Sequence, residues 1–272
     1  DVVFILIGAD ADLTMLKNLG VDFVTGRYGE VPVYNEEKVL PLLFERLRTA
    51  FSDRALASVG LTSVRYIFID DGSRDLSAEM IAHAIREGFP ARLIRLSRNF
   101  GHQNAVAAGI SRGQADMLAI IDADLQDPPE VILEMVGLWR KGFDVVCGVR
   151  RKRKEGPLKR FFYWSYYRLL AVLSEVEVVK DSGDFCLMDK RVISALNALP
   201  EKVRFNRGLR SWVGFRQTTL EYERDRRLAG TSKYSFRALY RLATEGIVSS
   251  GTRPLKAVQL GAFLVGILVV FF

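Results

Sequence analysis

Short apolar runs recur along this chain, and most of them close on a glycine or an acid before a stretch with helical spacing begins. Val64–Ile69 closes on Asp70 and Asp71, and Met117–Ile121 closes on Asp122. Val2–Ile7 closes on Gly8 and leads into Ala11–Leu19, where Leu13, Leu16 and Leu19 recur at helical intervals. Leu93–Leu96 and Phe143–Val149 are further runs of the same kind. A strand covered on both faces reads as a continuous apolar run rather than an alternation, which is the habit of parallel sheets flanked by helices. Between the runs, Glu36–Phe51 places Val39, Leu42, Leu43, Leu47 and Phe51 on one helix face. Ser73-x-Asp75 opens a helix with Met80, Ile81, Ala84 and Ile85 inward. Gln103–Ile110 reads as a helix of small residues, and Pro128-Pro129 open one that runs to Trp139. The expectation is an α/β domain with a mostly parallel central sheet.

In such sheets ligands bind beyond the carboxyl ends of the strands. Here those ends carry acids: Asp70-Asp71-Gly72-Ser73 after one strand and Asp122-Ala123-Asp124 after another. Two carboxylates at i and i+2 just past a strand can share one hard divalent cation. Mg²⁺ or Mn²⁺ completed by substrate phosphates suits that ligand set. Loop acids that are merely solvated, or that cap a helix, are the plainer alternative. Asp127, directly before Pro128-Pro129, reads at least in part as such a cap.

Composition narrows the choice further. The chain has 272 residues, 49% hydrophobic and 26% charged, which excludes disorder and collagen. Two cysteines and two histidines exclude a disulfide scaffold, a multi-thiolate zinc site and a His-rich metal site. A net charge of +7 suggests an anionic partner: nucleic acid, nucleotide phosphates or an acidic membrane surface. A basic, aromatic stretch lies at Leu158–Leu173, but no recognised nucleic-acid fold accompanies it, so nucleic acid is not expected.

Taken in order, the motifs become specific. They are Pro32-Val33-Tyr34-Asn35-Glu36-Glu37, Asp70-Asp71-Gly72-Ser73-Arg74-Asp75, Leu96-Ser97-Arg98-Asn99-Phe100-Gly101 and Asp122-Ala123-Asp124-Leu125-Gln126-Asp127-Pro128-Pro129-Glu130. Later come Gly183-Asp184-Phe185-Cys186-Leu187-Met188-Asp189 and Arg227-Leu228-Ala229-Gly230-Thr231-Ser232-Lys233-Tyr234. Over residues 31–272 the chain resembles glycosyltransferase family 2, of GT-A fold, in its polyprenyl-phosphate branch. The resemblance implies an inverting hexosyl transfer from a nucleotide sugar, of UDP-glucose or GDP-mannose type, to undecaprenyl or dolichyl phosphate. It implies that Pro32, Tyr34, Glu36, Asp70, Asp71, Arg98 and Asp122 bind the nucleotide sugar. Asp122, Asp124 and Gln126 would hold Mg²⁺ or Mn²⁺, and Asp184, Asp124 and Asp127 would form the catalytic set. His102 is expected either near the nucleotide or sugar or on a helix surface.

The acceptor phosphate has a second pKa near 6, is mostly dianionic at neutral pH and needs no strong base. Asp184 would orient acceptor or sugar, or act as a modest base. Arg150, Arg151, Arg227 and Lys233 are the cations expected to meet the lipid phosphate, the rest of the basic run 150–154 being solvated loop. Amphipathic interface helices are expected at about 156–174, where Phe161, Phe162, Tyr163, Trp164, Tyr166 and Tyr167 interleave with Lys159, Arg160 and Arg168, and at 235–250. Arg204–Phe215 reads as a helix before a strand at Thr218–Tyr222.

Ala257–Phe272 is 16 residues without a charge, read as the start of a truncated transmembrane helix rather than a core helix. Arg253 and Lys256 before it place the catalytic domain on the cytoplasmic face of a membrane. The division is then 1–30, of unclear origin; 31–252, catalytic and interfacial; and 253–272, membrane segment. A homo-oligomer fits the same reading. One departure stands out: Gly26-Arg27-Tyr28-Gly29-Glu30 occupy the place of the family's first strand, and glycines and charges are poor strand material. Either Val2–Ile7 supplies that strand, or residues 1–30 are an appendage to a short sheet. Two other functions remain open, a family 2 transferase with a saccharide acceptor and an inactive nucleotide-sugar-binding membrane protein.

Overall fold

The computed structural model describes residues 2–6, 31–33, 36–113, 115–151, 182–201, 205–225 and 259, with the backbone alone at 2–6, 31–33 and 182. Tyr34, Arg227, Lys233, the stretches 156–174 and 235–250, the helix expected at Ala11–Leu19 and the apolar 257–272 lie outside these residues, Gln259 excepted. Among the described residues no helix is long and apolar enough to cross a membrane.

The strands are β1 (Val2–Leu6), β2 (Val31–Val33), β3 (Val64–Asp70), β4 (Ala91–Arg95), β5 (Met117–Ile120), β6 (Val145–Arg150), β7 (Ser182–Asp189) and β8 (Gln217–Tyr222). The helices are α1 (Leu40–Ala50), α2 (Asp53–Ser58), α3 (Ser77–Arg86), α4 (His102–Ile110), α5 (Val131–Arg140), α6 (Lys190–Ala198) and α7 (Asn206–Trp212). All strands join one sheet. The pairs β1–β3, β1–β5, β2–β3, β3–β4 and β6–β8 are parallel, while β7 runs antiparallel between β5 and β6. The sheet is therefore mixed rather than purely parallel.

The first strand is in two pieces. A strand has two hydrogen-bonding edges, and β4 takes one edge of β3 along Tyr66–Asp70. β1 pairs with Val64–Phe68 and β2 with Phe68–Asp70, so both share the opposite edge, one after the other. Val2–Leu6 thus supplies a strand on the edge leading to the Pro32 motif, and β2 completes that lane.

The alternation of side chains along the strands divides the core between two helical layers. Tyr66, Phe68, Met117 and Ala119 pack with Leu40, Leu43, Leu47, Ile81, Ile132 and Val136. Ile67, Ile69, Leu118 and Ile120 pack with Ala105, Val106, Ile110, Val192 and Ile193 on the other side. Phe68 is fully buried, with its ring edge-on to Phe44 at 5.6 Å. Burying a side chain of this size contributes about 1.5–3 kcal/mol.

Local expectations shift at the element ends. Leu42, expected inward, is 48% exposed, because α1 begins at Leu40 and turns Leu40 and Phe44 to the core with Leu43 and Leu47. α3 begins at Ser77 rather than near Ser73. The Asp75 carboxylate still serves that start, accepting from the Ser77 N–H at 3.0 Å and the Glu37 N–H at 3.3 Å. The prolines do open the α5 region, where the Val131 and Ile132 N–H groups donate to the carbonyls of Pro128 and Pro129.

Candidate active site

The site forms where β3, β5, β6 and β8 end and β7 begins. Register explains why. In the antiparallel pair, Met117 faces Asp189 and Ile120 faces Cys186. Continuing that register two residues past Ile120 brings Asp184 level with Asp122. On the far side, Arg150 at the end of β6 faces Tyr222 at the end of β8. Topology alone thus gathers at one edge side chains that are far apart in sequence.

The loop after β5 carries the acids. Ala123 and Leu125 turn into the core, while Asp122 and Gln126 are partly exposed. Leu125 has φ 56°, a left-handed conformation that costs a non-glycine residue energy and persists only where its surroundings dictate it. Asp124 is buried and accepts the Gln126 N–H at 3.1 Å. Burial raises the Asp122 carboxyl, His102 pulls it back, and the charges of Asp127, Asp124 and Asp184 push it up, to about 7.

Asp184 is the most heavily held acid of the site. Arg207 grips it in a fork, Nε donating to Oδ1 at 2.9 Å and Nη2 to Oδ2 at 2.7 Å. His102 Nε2 lies 2.6 Å from Oδ2, and Gln103 Nε2 donates to the same oxygen at 3.4 Å. Gln103 in turn accepts the Asn206 N–H, which ties the start of α4 to the start of α7. Burial alone would raise the Asp184 carboxyl, but Arg207 and His102 hold it well below the usual carboxylate range. Burial likewise disfavours the His102 imidazolium, but the Asp184 charge and hydrogen bond reverse that and raise it to about 9. At neutral pH this is a carboxylate between two cations, and a weak proton acceptor.

Asp127 does not cap α5. Its carboxylate is almost wholly buried and accepts from the Tyr222 hydroxyl and from Arg224 Nε at 3.1 Å, with Arg150 Nη2 at 3.9 Å. The α5 start at Glu130 has no side-chain cap hydrogen bond. The reason is positional: Asp127 lies at the sheet edge beside Tyr222, and the proline carbonyls begin the helix instead. Arg224 Nη2 also stands 4.0 Å from Asp122 Oδ2. Arg150 is part of this cluster, whereas Arg151 is 57% exposed on its side chain and pairs with Glu221 at 3.4 Å.

The acids after β3 face inward. Asp70 and Asp71 have no exposed surface. Asp70 accepts the Ser73 N–H at 2.9 Å, with Arg95 Nε at 3.2 Å. Asp71 accepts the N–H groups of Phe100 at 2.8 Å and Gly101 at 3.2 Å, which fixes the loop leading into α4 and hence the position of His102. Gly72 has φ +71°, and a Cβ there would stand 2.5 Å from the Arg98 carbonyl carbon. Arg98 is exposed, its guanidinium 4.2 Å from the centroid of the Phe100 ring. The Glu36 N–H donates to Ser77 Oγ, tying the Pro32 motif to α3, and Pro32 sits in β2 opposite Ile69.

Of the residues picked out by sequence, Asp122, Asp124, Asp127, Asp184, Arg150 and His102 converge, with Gln126 on the same loop. Asp70 and Asp71 serve the loops beside them. Gln103, Arg207, Tyr222 and Arg224 were missed. Each lies outside the motif residues singled out and acts through a partner more than 20 positions away, so no local pattern marks it.

A divalent cation suits this acid loop. The crowding of Asp124, Asp127 and Asp184 on Asp122 is the situation a hard cation relieves, and the donors are carboxylate and amide oxygens. Among the described residues no group of three or more His, Cys, Asp or Glu side chains could hold a metal by itself.

Comparison with known proteins agrees with this geometry. The family model described as glycosyl transferase family 2 matches residues 31–196. The chain is 41% identical over 235 residues to the uncharacterised glycosyltransferase YkcC of Bacillus subtilis, covering 86% of this chain and 71% of that protein. It is 36% identical over 240 residues to the bactoprenol glucosyl transferase of Shigella phage SfV, covering 87% and 76%. Among solved structures, the mannosyltransferase PcManGT of Pyrobaculum calidifontis, in complex with GDP-Man and Mn²⁺, superposes with a TM-score of 0.52 at 14% identity, covering 84% of this chain and 62% of that one. That likeness concerns the fold alone.

Proposed function

The chain belongs to glycosyl transferase family 2, and from that premise we propose that it moves a hexose from a nucleotide diphosphate sugar to polyprenyl phosphate at the cytoplasmic face of a membrane. The observation that carries the reading is the pairing of the Asp122–Asp124 loop with an Asp184 that is already neutralised by Arg207 and His102. The similarity to a bactoprenol glucosyl transferase over most of both chains supports the lipid acceptor.

In this proposal Asp122, Asp124 and Gln126 hold Mg²⁺ or Mn²⁺, which when bound offsets charge on the departing nucleoside diphosphate. An acceptor phosphate oxygen forms the new bond to the anomeric carbon while the bond to the diphosphate breaks. The electron pair leaves with the nucleotide. Attack from the opposite face inverts the centre, so an α-linked donor gives a β-linked lipid phosphate sugar. No proton need be removed, because the acceptor phosphate is mostly dianionic at neutral pH. Asp184 then orients rather than abstracts: its two oxygens hold Arg207 and His102 as cations, and His102 also feels the charge of Asp122. Arg150, with Arg227 and Lys233, would meet the acceptor phosphate. The segment 253–272 and the aromatic stretch 156–174 would keep the site at the bilayer, where that acceptor resides.

The test is an acceptor panel. Purified full-length protein receives Mn²⁺, labelled UDP- and GDP-hexoses and either polyprenyl phosphate in detergent or oligosaccharides. Label in the lipid phase with at least one donor is the expected result. Label in oligosaccharide alone would replace this reading with a saccharide transferase, and nucleotide binding without transfer to either acceptor would leave a binding protein.

A further inference from the structure

We propose that Tyr222 and Arg224 are positioning residues for the donor loop, acting through Asp127; the inference rests on the family 2 reading above. Asp127 closes the run Asp122–Asp127 and is 1% exposed. A carboxylate so placed must be fully met by donors, and leaving it unmet costs more than an ordinary hydrogen bond. Its donors come from the end of β8: the Tyr222 hydroxyl, 95 residues away in sequence, and Arg224 Nε at 3.1 Å. Arg224 also extends Nη2 to 4.0 Å from Asp122 Oδ2, so one guanidinium spans both ends of the acid loop.

The backbone and a second side chain strengthen the same clasp. The Asp225 N–H donates to the Gln126 carbonyl at 2.9 Å. Arg46 of α1 binds Asp225 at 2.8 Å and Glu130 at 2.9 Å, tying the clasp segment to the residue before α5. Between the clasped residues Asp122 and Asp127 lies Leu125 in its left-handed conformation. A strained turn holds only when its flanks are fixed, and Gln126 and Asp127 are the flank this segment fixes. The clasp also stands three residues before Arg227, the first cation of the motif expected to meet the acceptor phosphate. The segment that places the donor loop thus leads directly into the acceptor motif.

The experiment uses full-length protein and three variants, Tyr222→Phe, Asp127→Ala and their combination, with Arg224→Lys as a fourth. Tyr222→Phe is the cleanest, because the ring keeps its edge-on packing with Phe185 at 5.1 Å and only the hydroxyl is lost. UDP and GDP affinity is measured by calorimetry with Mn²⁺ present and absent, and transfer is resolved into donor and acceptor kcat/KM. The expected result is a loss of about tenfold in nucleotide affinity and donor kcat/KM, with acceptor KM within about twofold of wild type. Tyr222→Phe should add nothing once Asp127→Ala, which has no acceptor, is present. Arg224→Lys, which keeps the charge and loses the fork, should fall between wild type and Tyr222→Phe. A lowered melting temperature with nucleotide affinity unchanged, or additive effects of Tyr222→Phe and Asp127→Ala, would overturn the proposal. Wild-type protein that binds nucleotide without glycosylating polyprenyl phosphate would sink the lipid reading alone, and the affinity measurements would still decide the clasp.

Discussion

His102 Nε2 lies 2.6 Å from Asp184 Oδ2, joining the first residue of α4 to the inward start of β7 across 82 positions of sequence. With Arg207 on the same carboxylate, the pair forms a charged cluster level with Asp122.

This contact fixes the charge of His102. Its folded pKa is raised from 6.5 to about 9, so the imidazolium stabilises the fold fully below about pH 6.5. That contribution fades as pH rises through about 9. In a titration followed by the imidazole ¹H–¹³C resonances, His102 should titrate near 9 in wild type and return towards the ordinary range in Asp184→Asn. A wild-type value near 6.5 would contradict the pairing.

Arg207 should be expensive to replace. Arg207→Gln removes a two-pronged, charge-assisted contact from a buried carboxylate, an interaction typically worth about 1.5–3 kcal/mol. The expected result is a fall of about tenfold or more in kcat/KM. Without the guanidinium the Asp184 carboxyl rises, so activity should fall more steeply on the acidic limb that Asp122 and the acceptor phosphate already set in wild type.

Gly72 should tolerate no side chain. Its φ of +71° and the 2.5 Å approach to the Arg98 carbonyl carbon both oppose Gly72→Ala. A loss of about 1–3 kcal/mol is expected in urea unfolding. Because Asp71 anchors the same loop through Phe100 and Gly101, the His102 titration should shift in this variant as well.

Much of this was legible in the sequence, and what was not has a physical cause. Continuous apolar runs such as Val64–Ile69 and Met117–Ile121 announced buried strands, because burial on both faces removes any alternation. The acids closing those runs marked the site, since a sheet delivers its strand ends to one edge. The antiparallel β7 was not read, although its first residues were quoted as a motif; direction is set by pairing with β5 and β6, which leaves no mark on Gly183–Asp189 itself. Arg207, Tyr222 and Arg224 escaped for the same reason, as their roles exist only once distant segments meet. Asp127 was misread because an acid before two prolines looks like a local cap. Its partners arrive instead from β8. Val2–Leu6 shows the converse: the weak strand material before Pro32 was recognised, and the sheet takes its strand from earlier in the chain.

In the proposed function the Asp122–Asp124 loop supports transfer of a sugar to a lipid phosphate. The most direct measurement is the initial rate at which label from a nucleotide hexose enters the organic phase with polyprenyl phosphate. It is taken side by side for wild type and for Asp124→Asn of matched melting temperature. The account predicts a wild-type rate that saturates with Mn²⁺ or Mg²⁺ and falls by about a hundredfold or more in the variant. Equal rates in the two proteins would contradict it.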